Sequence, residues 1–345
     1  MAREGRDNEG MDAAARADRL RTELLRLGAV KGVVGCQVIG APAVVRAWGS
    51  VSDAAVFEAG SVTKTVTGLL FALAIQAAEV SAGDRLDRYL PRTGRAGQAT
   101  LAELATHTSG LPRLPAPVLV RALLRPGNPY HGVSLPRLVR YTRMVRPNQA
   151  GSAVYSNLGV ALLGHALASA AGMSYWDLAR ARVLHPLGMS RSGDLPTSAL
   201  TAPNRAWDLA AFAPAGGLRA SVPDMLRLAG VAADSAHSPF PAAAALALSA
   251  QAPMGAGSVG WCWMLSQRKH GPVYWHNGAT GASWAFIGAS GSCAIAAAVP
   301  ARHQPAWDTV AMQVLSLPGN QRSAADPPPR NWLIGAQRQH HDHER

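Results

Sequence analysis

Strand-like segments sit near both ends of this chain, and a long helix-rich stretch lies between them. At the start, Val33–Ile39 and Ala43–Trp48 are short apolar runs around Gly40–Pro42, the pattern of a β-hairpin. At the end, Trp261–Leu265, Val273–His276, Trp284–Ala289 and Cys293–Val299 are short, aromatic or β-branched, and separated by Gly or Ser. They read as antiparallel strands, with a tight turn at Ser290-Gly291. The middle, about 84–235, carries helix formers broken by Pro and Gly, with apolar helical faces in Leu158–Ala171 and Tyr175–Leu184. Strands from the two ends must then share one sheet. The expected fold is α+β: an antiparallel sheet flanked by helices, with an inserted, mainly helical region.

The expected boundaries follow from the same patterns. One domain covers 13–320, with sheet from about 29–58 and 255–318 and the helical region at about 59–235. Leu20, Leu24 and Leu27 recur at helical spacing within Ala13–Leu27, and Trp307–Leu317 reads as a final helix. A helical pattern also starts near Gly60 and runs to Ala78. Residues 1–12 and the polar, His-rich 321–345 are expected to be disordered.

Apolar residues make up 48% of the chain and charged residues 16%, which excludes a mainly disordered protein. Lys plus Arg number 33 and Asp plus Glu 21, a net charge of +12. The basic residues are scattered arginines with no long run, so no nucleic-acid partner is expected. Cys36, Cys262 and Cys293 have neither zinc spacing nor a disulfide pattern. No metal and no cofactor is expected. Met1–Leu27 lacks the apolar core of a signal peptide, and no run approaches the roughly 20 residues that span a bilayer. A cytoplasmic protein with no membrane span is the expectation.

Three short motifs carry the chemistry. Ser61 and Lys64 lie three residues apart at a helix start, so both occupy one helical face. A serine hydroxyl needs a base to attack, and burial among Val62, Val66, Leu69 and Leu70 would favour a neutral lysine. Tyr155-Ser156-Asn157 precedes an apolar helix and offers a proton-exchanging hydroxyl and an amide that both donates and accepts. His276-Asn277-Gly278 ends a strand, and Gly278 lets a ligand approach the backbone. Taken singly, each motif also fits a structural role: an N-cap serine with a surface lysine, a loop tyrosine, a strand-end histidine.

In this order the motifs resemble those of the penicillin-recognising serine hydrolases. The Tyr-x-Asn form is similar to the branch holding class C β-lactamases, D-alanyl-D-alanine carboxypeptidases, D-aminopeptidases and related esterases. Phe57–Thr65, His107–Pro112, Pro186–Met189 and Ala215–Leu218 also resemble family segments, so the likeness runs over about 29–318. It implies a β-lactamase/transpeptidase-like fold and an acyl-Ser61 intermediate. Lys64 and Tyr155 would move the proton, and Asn157 would support Lys64 and the substrate. The oxyanion would sit between the backbone N–H groups of Ser61 and Ala279, with His276, Asn277 and Gly278 on the substrate side. The partner implied is a small-molecule ester, amide or lactam.

His276 stands where true β-lactamases carry a lysine, and Asn277 where they carry a threonine. Weak β-lactam turnover is therefore expected, with a small ester or an amide such as a D-amino-acid peptide preferred. The other readings are a slowly acylated penicillin-binding-type sensor and a true β-lactamase. His107 is expected to pack a loop, Trp48, Trp261, Trp263 and Trp275 to pack the core, and Trp284 to line the pocket mouth.

Overall fold

The run Cys293–Val299 carries no polar face because both of its faces are covered. Ala294, Ala296 and Ala298 join one apolar core, while Cys293, Ile295, Ala297 and Val299 join a second. This alternation is the period-2 signature of a strand buried on both sides. The computed structural model describes residues 11–124, 127–148, 151–196 and 206–318.

The first part of the chain gives α1 (Ala13–Arg26), β1 (Gly32–Val38), β2 (Val44–Trp48), β3 (Val56–Glu58) and α2 (Thr63–Gln76). The helical region then supplies α3 (Leu101–Ala105), α4 (Ala116–Leu124), α5 (Leu135–Arg143), α6 (Asn157–Ala171) and α7 (Tyr175–Ala179). After β4 (Ser192–Gly193) come α8 (Ala213–Gly216), β5 (Arg219–Ser221), α9 (Val222–Ala233) and α10 (Pro241–Leu248). The end of the chain returns to the sheet with β6 (Ala252–Met254), β7 (Gly257–Val259), β8 (Met264–Arg268), β9 (Gly271–Ala279), β10 (Trp284–Ser290) and β11 (Cys293–Val299). It closes on α11 (Pro305–Leu315).

Eight strands form one antiparallel sheet in the order β2-β1-β11-β10-β9-β8-β7-β6. The N-terminal hairpin therefore pairs directly with the last strand, Val33 opposite Ala298 and Val38 opposite Cys293. One face of the sheet holds α1 and α11 over the core of Leu20, Leu24, Trp284, Phe286 and Trp307. The other face carries the helical region, with α9 lying on β1, β10 and β11. The alanines of β11 and Gly35 of β1 let α9 come close: a Cβ at Gly35 would lie 3.2 Å from Val222 and 3.3 Å from Leu226.

The structure departs from the sequence reading in four places. The strand expected at Trp261–Leu265 begins only at Met264, because Trp261 and Cys262 donate their N–H groups to Ala247 and Ala105 in the helical region. The helix expected over Tyr175–Leu184 leaves α-geometry at Ala179 and finishes as a wider π-turn, Arg180–Leu184. The last two strands at one end of the sheet, β7 and β6, and a separate sheet of β3, β5 and β4, are two or three residues long, too short for alternation to show. Trp284 is fully buried against Trp307 in the α1–α11 core and does not line a pocket mouth. The expectations for 1–10 and 319–345 lie outside the described residues. No single described helix is long and apolar enough to cross a membrane.

Candidate active site

The first turn of α2 and the tight turn before it hold two of the three motifs' key groups. Gly60–Val62 is a single 3₁₀ turn feeding α2, and the Ser61 side chain caps neither element. Instead Ser61 Oγ accepts a hydrogen bond from Lys64 Nζ at 2.9 Å. Lys64 is completely buried, which excludes a surface lysine, and its second acceptor is the Ala215 carbonyl. Burial of the ammonium lowers the Lys64 pKa from 10.5 to about 7, and the Arg113 guanidinium pushes the same way. Near neutral pH a large share of Lys64 is therefore the free amine.

The segment around Ala215 is pinned to α2 by the two threonines that bracket Lys64. Thr63 Oγ1 accepts from Leu218 N–H at 2.9 Å, and Thr67 Oγ1 donates to the Pro214 carbonyl at 2.8 Å. The Ala215 carbonyl is thereby held where Lys64 needs an acceptor.

Tyr155 enters the site from a loop fixed by His107. The His107 carbonyl accepts from Val154 N–H at 2.8 Å, and its Nδ1 accepts from Ser156 N–H at 3.1 Å, so the two residues flanking Tyr155 are tied to one histidine. His107 takes a positive φ of 62° to do this, and burial pushes its pKa down to about 3. A neutral imidazole is what an accepting Nδ1 requires. The His107 ring lies 4.7 Å from that of Tyr155 between centroids. The histidine expected to pack a loop thus packs the one that carries Tyr155. The Ser61 side chain lies near the Tyr155 hydroxyl and favours its ionised form. Burial raises the Tyr155 pKa above the ordinary tyrosine value, and the neighbouring Ser61 works against that rise. Lys64 Nζ lies 4.9 Å from the centre of the Tyr155 ring. Ser61, Lys64 and Tyr155, 94 residues apart at the extremes, are brought to one place.

Strand β9 closes the third side. Its even residues Tyr274, His276 and Gly278 face the helical region, and its odd residues Val273, Trp275 and Asn277 face α11. A Cβ at Gly278 would lie 1.9 Å from the Ala59 carbonyl and 2.8 Å from Ser61 N, so only glycine lets the strand lie against the Ser61 turn. The reverse contact is as close: Gly60, at φ 53°, would place a Cβ 2.7 Å from Ala279 N. The backbone N–H groups of Ser61 and Ala279 are thus brought to one place. His276 is buried and held near 3 by that burial. Its Nδ1–H donates to the Asn277 carbonyl at 2.6 Å, leaving a bare Nε2 without a partner.

Two expected contacts are not made. Asn157 does not hold Lys64: its amide donates to the Tyr130 hydroxyl at 3.2 Å, and its Oδ1 is buried with no partner. The Ala215 carbonyl takes that place. The Asn277 side chain does not face substrate, because strand parity turns it to the far side of the sheet, where it donates to Asp308 at 2.9 Å.

A cavity of about 140 Å³ opens beside Ser61, lined by Arg113, Tyr130, Asn157, Trp207 and Thr280 among others. Arg113 is exposed, with its guanidinium 5.4 Å from the Tyr155 ring centre. Glu58 ties the wall together: its buried carboxylate accepts from Trp207 N–H and from the Thr280 hydroxyl. Arg113, Tyr130, Trp207 and Glu58 were not singled out by motif. Arg113 and Glu58 do lie in or beside the segments His107–Pro112 and Phe57–Thr65, whereas nothing local marks Tyr130 or Trp207.

The Beta-lactamase family model matches residues 17–311. Beta-lactamase-like protein 2 of Dictyostelium discoideum is 34% identical over 139 residues, 38% of this chain and 25% of its own length. The D-alanyl-D-alanine-carboxypeptidase/endopeptidase AmpH of Escherichia coli K12 is 31% identical over 154 residues, 41% of this chain and 37% of its own. The chain therefore spans well under half the length of these curated relatives. Among solved structures, a class C beta lactamase from Rhodobacter sphaeroides superposes with a TM-score of 0.74 at 21% identity, covering 87% of this chain and 97% of that one. A Beta-Lactamase/D-Alanine Carboxypeptidase from Pseudomonas syringae gives 0.73 at 16% identity, covering 91% and 100%. At these identities the structural likeness is one of fold.

Proposed function

Since the chain belongs to the Beta-lactamase family, we propose that it is a serine hydrolase that cleaves a small ester or amide through an acyl-Ser61 intermediate. The observation that carries this reading is the 2.9 Å contact between Ser61 Oγ and a completely buried Lys64 whose pKa lies at about 7. Ser61 Oγ attacks the carbonyl carbon, and its proton passes to the Lys64–Tyr155 pair. The carbonyl oxygen becomes an oxyanion facing the Ser61 and Ala279 N–H groups, a donor arrangement worth roughly 10²–10³-fold in rate per donor. The C–O or C–N bond then breaks, and the leaving group takes the proton. Water repeats the sequence on the acyl-enzyme, restoring Ser61 and releasing the acid. Because Lys64 and Tyr155 both touch Ser61, they act as a coupled pair.

The walls support a small amide or ester. Asn157 lines the cavity, and its buried Oδ1 is an unpartnered acceptor that a substrate N–H would satisfy. D-amino-acid peptides fall in this class, in keeping with the name of the Escherichia coli relative. A neutral His276 supplies no fixed cation for a β-lactam carboxylate, so penicillin turnover is weak in this reading.

Intact-mass measurement tests it, with the protein exposed to a fluorophosphonate and, separately, to a penicillin, beside Ser61→Ala. A fluorophosphonate adduct on the wild type alone, followed by ester turnover, is expected. A penicillin adduct lasting hours would favour the slowly acylated sensor. No adduct from either reagent would end the hydrolase reading.

A further inference from the structure

Helix α4 keeps only Val118 in the core and turns large aliphatic side chains to solvent: Leu119 and Val120 are 49% exposed, Leu123 76% and Leu124 75%. Leu119 and Leu123, and Val120 and Leu124, are each four residues apart, so the four stack into one stripe. Scattered exposed aliphatic residues need no explanation, but four within six residues of one helix do.

The surroundings of this stripe are cationic. From Leu104 to Trp176 the sequence contains no Asp or Glu and seven arginines. On α5, Arg137, Arg140 and Arg143 are exposed. Both helices are tied to the turn that connects them and so flank one corner: Arg121 of α4 donates to the His131 carbonyl at 2.8 Å, and Arg137 of α5 donates to the adjacent Gly132 carbonyl at 2.9 Å. Among the described residues, Asp208 brings a carboxylate to this corner, 3.5 Å from His131. The corner also borders the cavity, because His131, whose carbonyl Arg121 holds, directly follows Tyr130 of the cavity wall.

We propose that the α4–α5 corner docks the protein on an anionic lipid surface, with the α4 stripe entering the interface and the arginines meeting the lipid phosphates. An apolar helix face flanked by arginine is the combination that binds such surfaces, and neither part suffices alone. Sign decides among occupants. A second copy of this chain would bring a net charge of +12 against the same arginines, whereas an anionic bilayer complements them. The docking is independent of the hydrolase reading, and it sets the cavity mouth beside the bilayer.

The test is flotation of the full chain with phosphatidylcholine vesicles, with and without phosphatidylglycerol, at low and high salt. Binding to the phosphatidylglycerol vesicles at low salt is expected, weakened at least about tenfold on pure phosphatidylcholine or in high salt. The pair Leu123→Glu with Leu124→Glu should lower it by a similar factor with an unchanged melting temperature, and so should Arg137→Glu with Arg140→Glu. Binding to neither vesicle would overturn the proposal. So would binding that survives both pairs of substitutions, or wild-type self-association without vesicle binding that the leucine pair abolishes.

Discussion

Lys64→Met isolates the electrostatics of the site in a stability measurement that needs no substrate. In the unfolded chain the lysine titrates at 10.5, and in the folded protein at about 7. Between those values the unfolded state binds the proton and the folded state does not. Stability contributed by this site therefore rises with pH across the window, and the full cost of burying the ammonium is felt below about pH 7. That cost is about 4–5 kcal/mol. Methionine keeps the length and apolar bulk but does not titrate. The variant also loses the bonds to Ser61 Oγ and the Ala215 carbonyl, a penalty that does not depend on pH. The decisive quantity is thus the change with pH in the stability difference between variant and wild type. Two-state linkage gives about 2.5 kcal/mol between about pH 6 and pH 9, in favour of the variant at the lower pH. For a chain of this size that is on the order of 5 °C in relative melting temperature. Urea unfolding at several pH values measures it, and titrations common to both proteins cancel. A difference that stays flat with pH, or grows toward high pH, would refute a depressed Lys64 pKa and with it the neutral-amine base. In the active wild type, kcat/KM should rise with pH through an apparent pKa near 7.

Three further outcomes follow from single contacts. Tyr155→Phe removes the hydroxyl beside Ser61 and should slow fluorophosphonate labelling about 10²–10⁴-fold while leaving the far-UV spectrum unchanged; an undiminished rate would leave Lys64 acting alone. Gly278→Ala drives a Cβ to 1.9 Å from the Ala59 carbonyl, so β9 must retreat. The expected cost is about 1–3 kcal/mol together with loss of labelling, and a variant that labels at the wild-type rate would exclude the tight β9–Ser61 packing. Asp308→Ala strips the shared acceptor of Asn277, Trp284 and His303 and should lower stability by about 2–4 kcal/mol in urea unfolding, with labelling of the folded fraction retained. An unchanged midpoint would show that this junction does not hold β9 to α11.

The legible parts of this molecule are those set by local rules. The α1 stripe, the N-terminal hairpin and the strands Trp284–Ser290 and Cys293–Val299 follow from periodicity, and Ser61 and Lys64 share a face because helical spacing requires it. The distant partners were less accessible. That the Ala215 carbonyl, and not Asn157, accepts from Lys64 depends on two threonines of α2 gripping a segment some 150 residues away. Trp207 and Tyr130 reach the cavity only through the path of the chain, their rings 5.7 Å apart there. The aromatic run Trp261–Trp263 looks like a strand by composition, but a residue at φ 60°, Cys262, sends it to bond with helices. Parity, not residue type, removed Asn277 from the site.

That parity also explains why the third motif tolerates no slip. His276 and Asn277 are both polar and both able to bond a carboxylate, so their chemistry alone does not decide which faces Ser61 and which faces Asp308. The register does: Asn277 pairs with Phe286 and Gly278 with Ala285. A shift of one residue would turn Val273 and Trp275 out of the α1–α11 core and put Tyr274 into it. It would also bring Asn277 or Ala279 to the point where a Cβ meets the Ala59 carbonyl at 1.9 Å, a position that only Gly278 can occupy. The apolar alternation of β9 and the one glycine that lies against the Ser61 turn therefore impose the same register. Burial of the core and placement of the Ala279 N–H beside Ser61 are consequences of a single pairing.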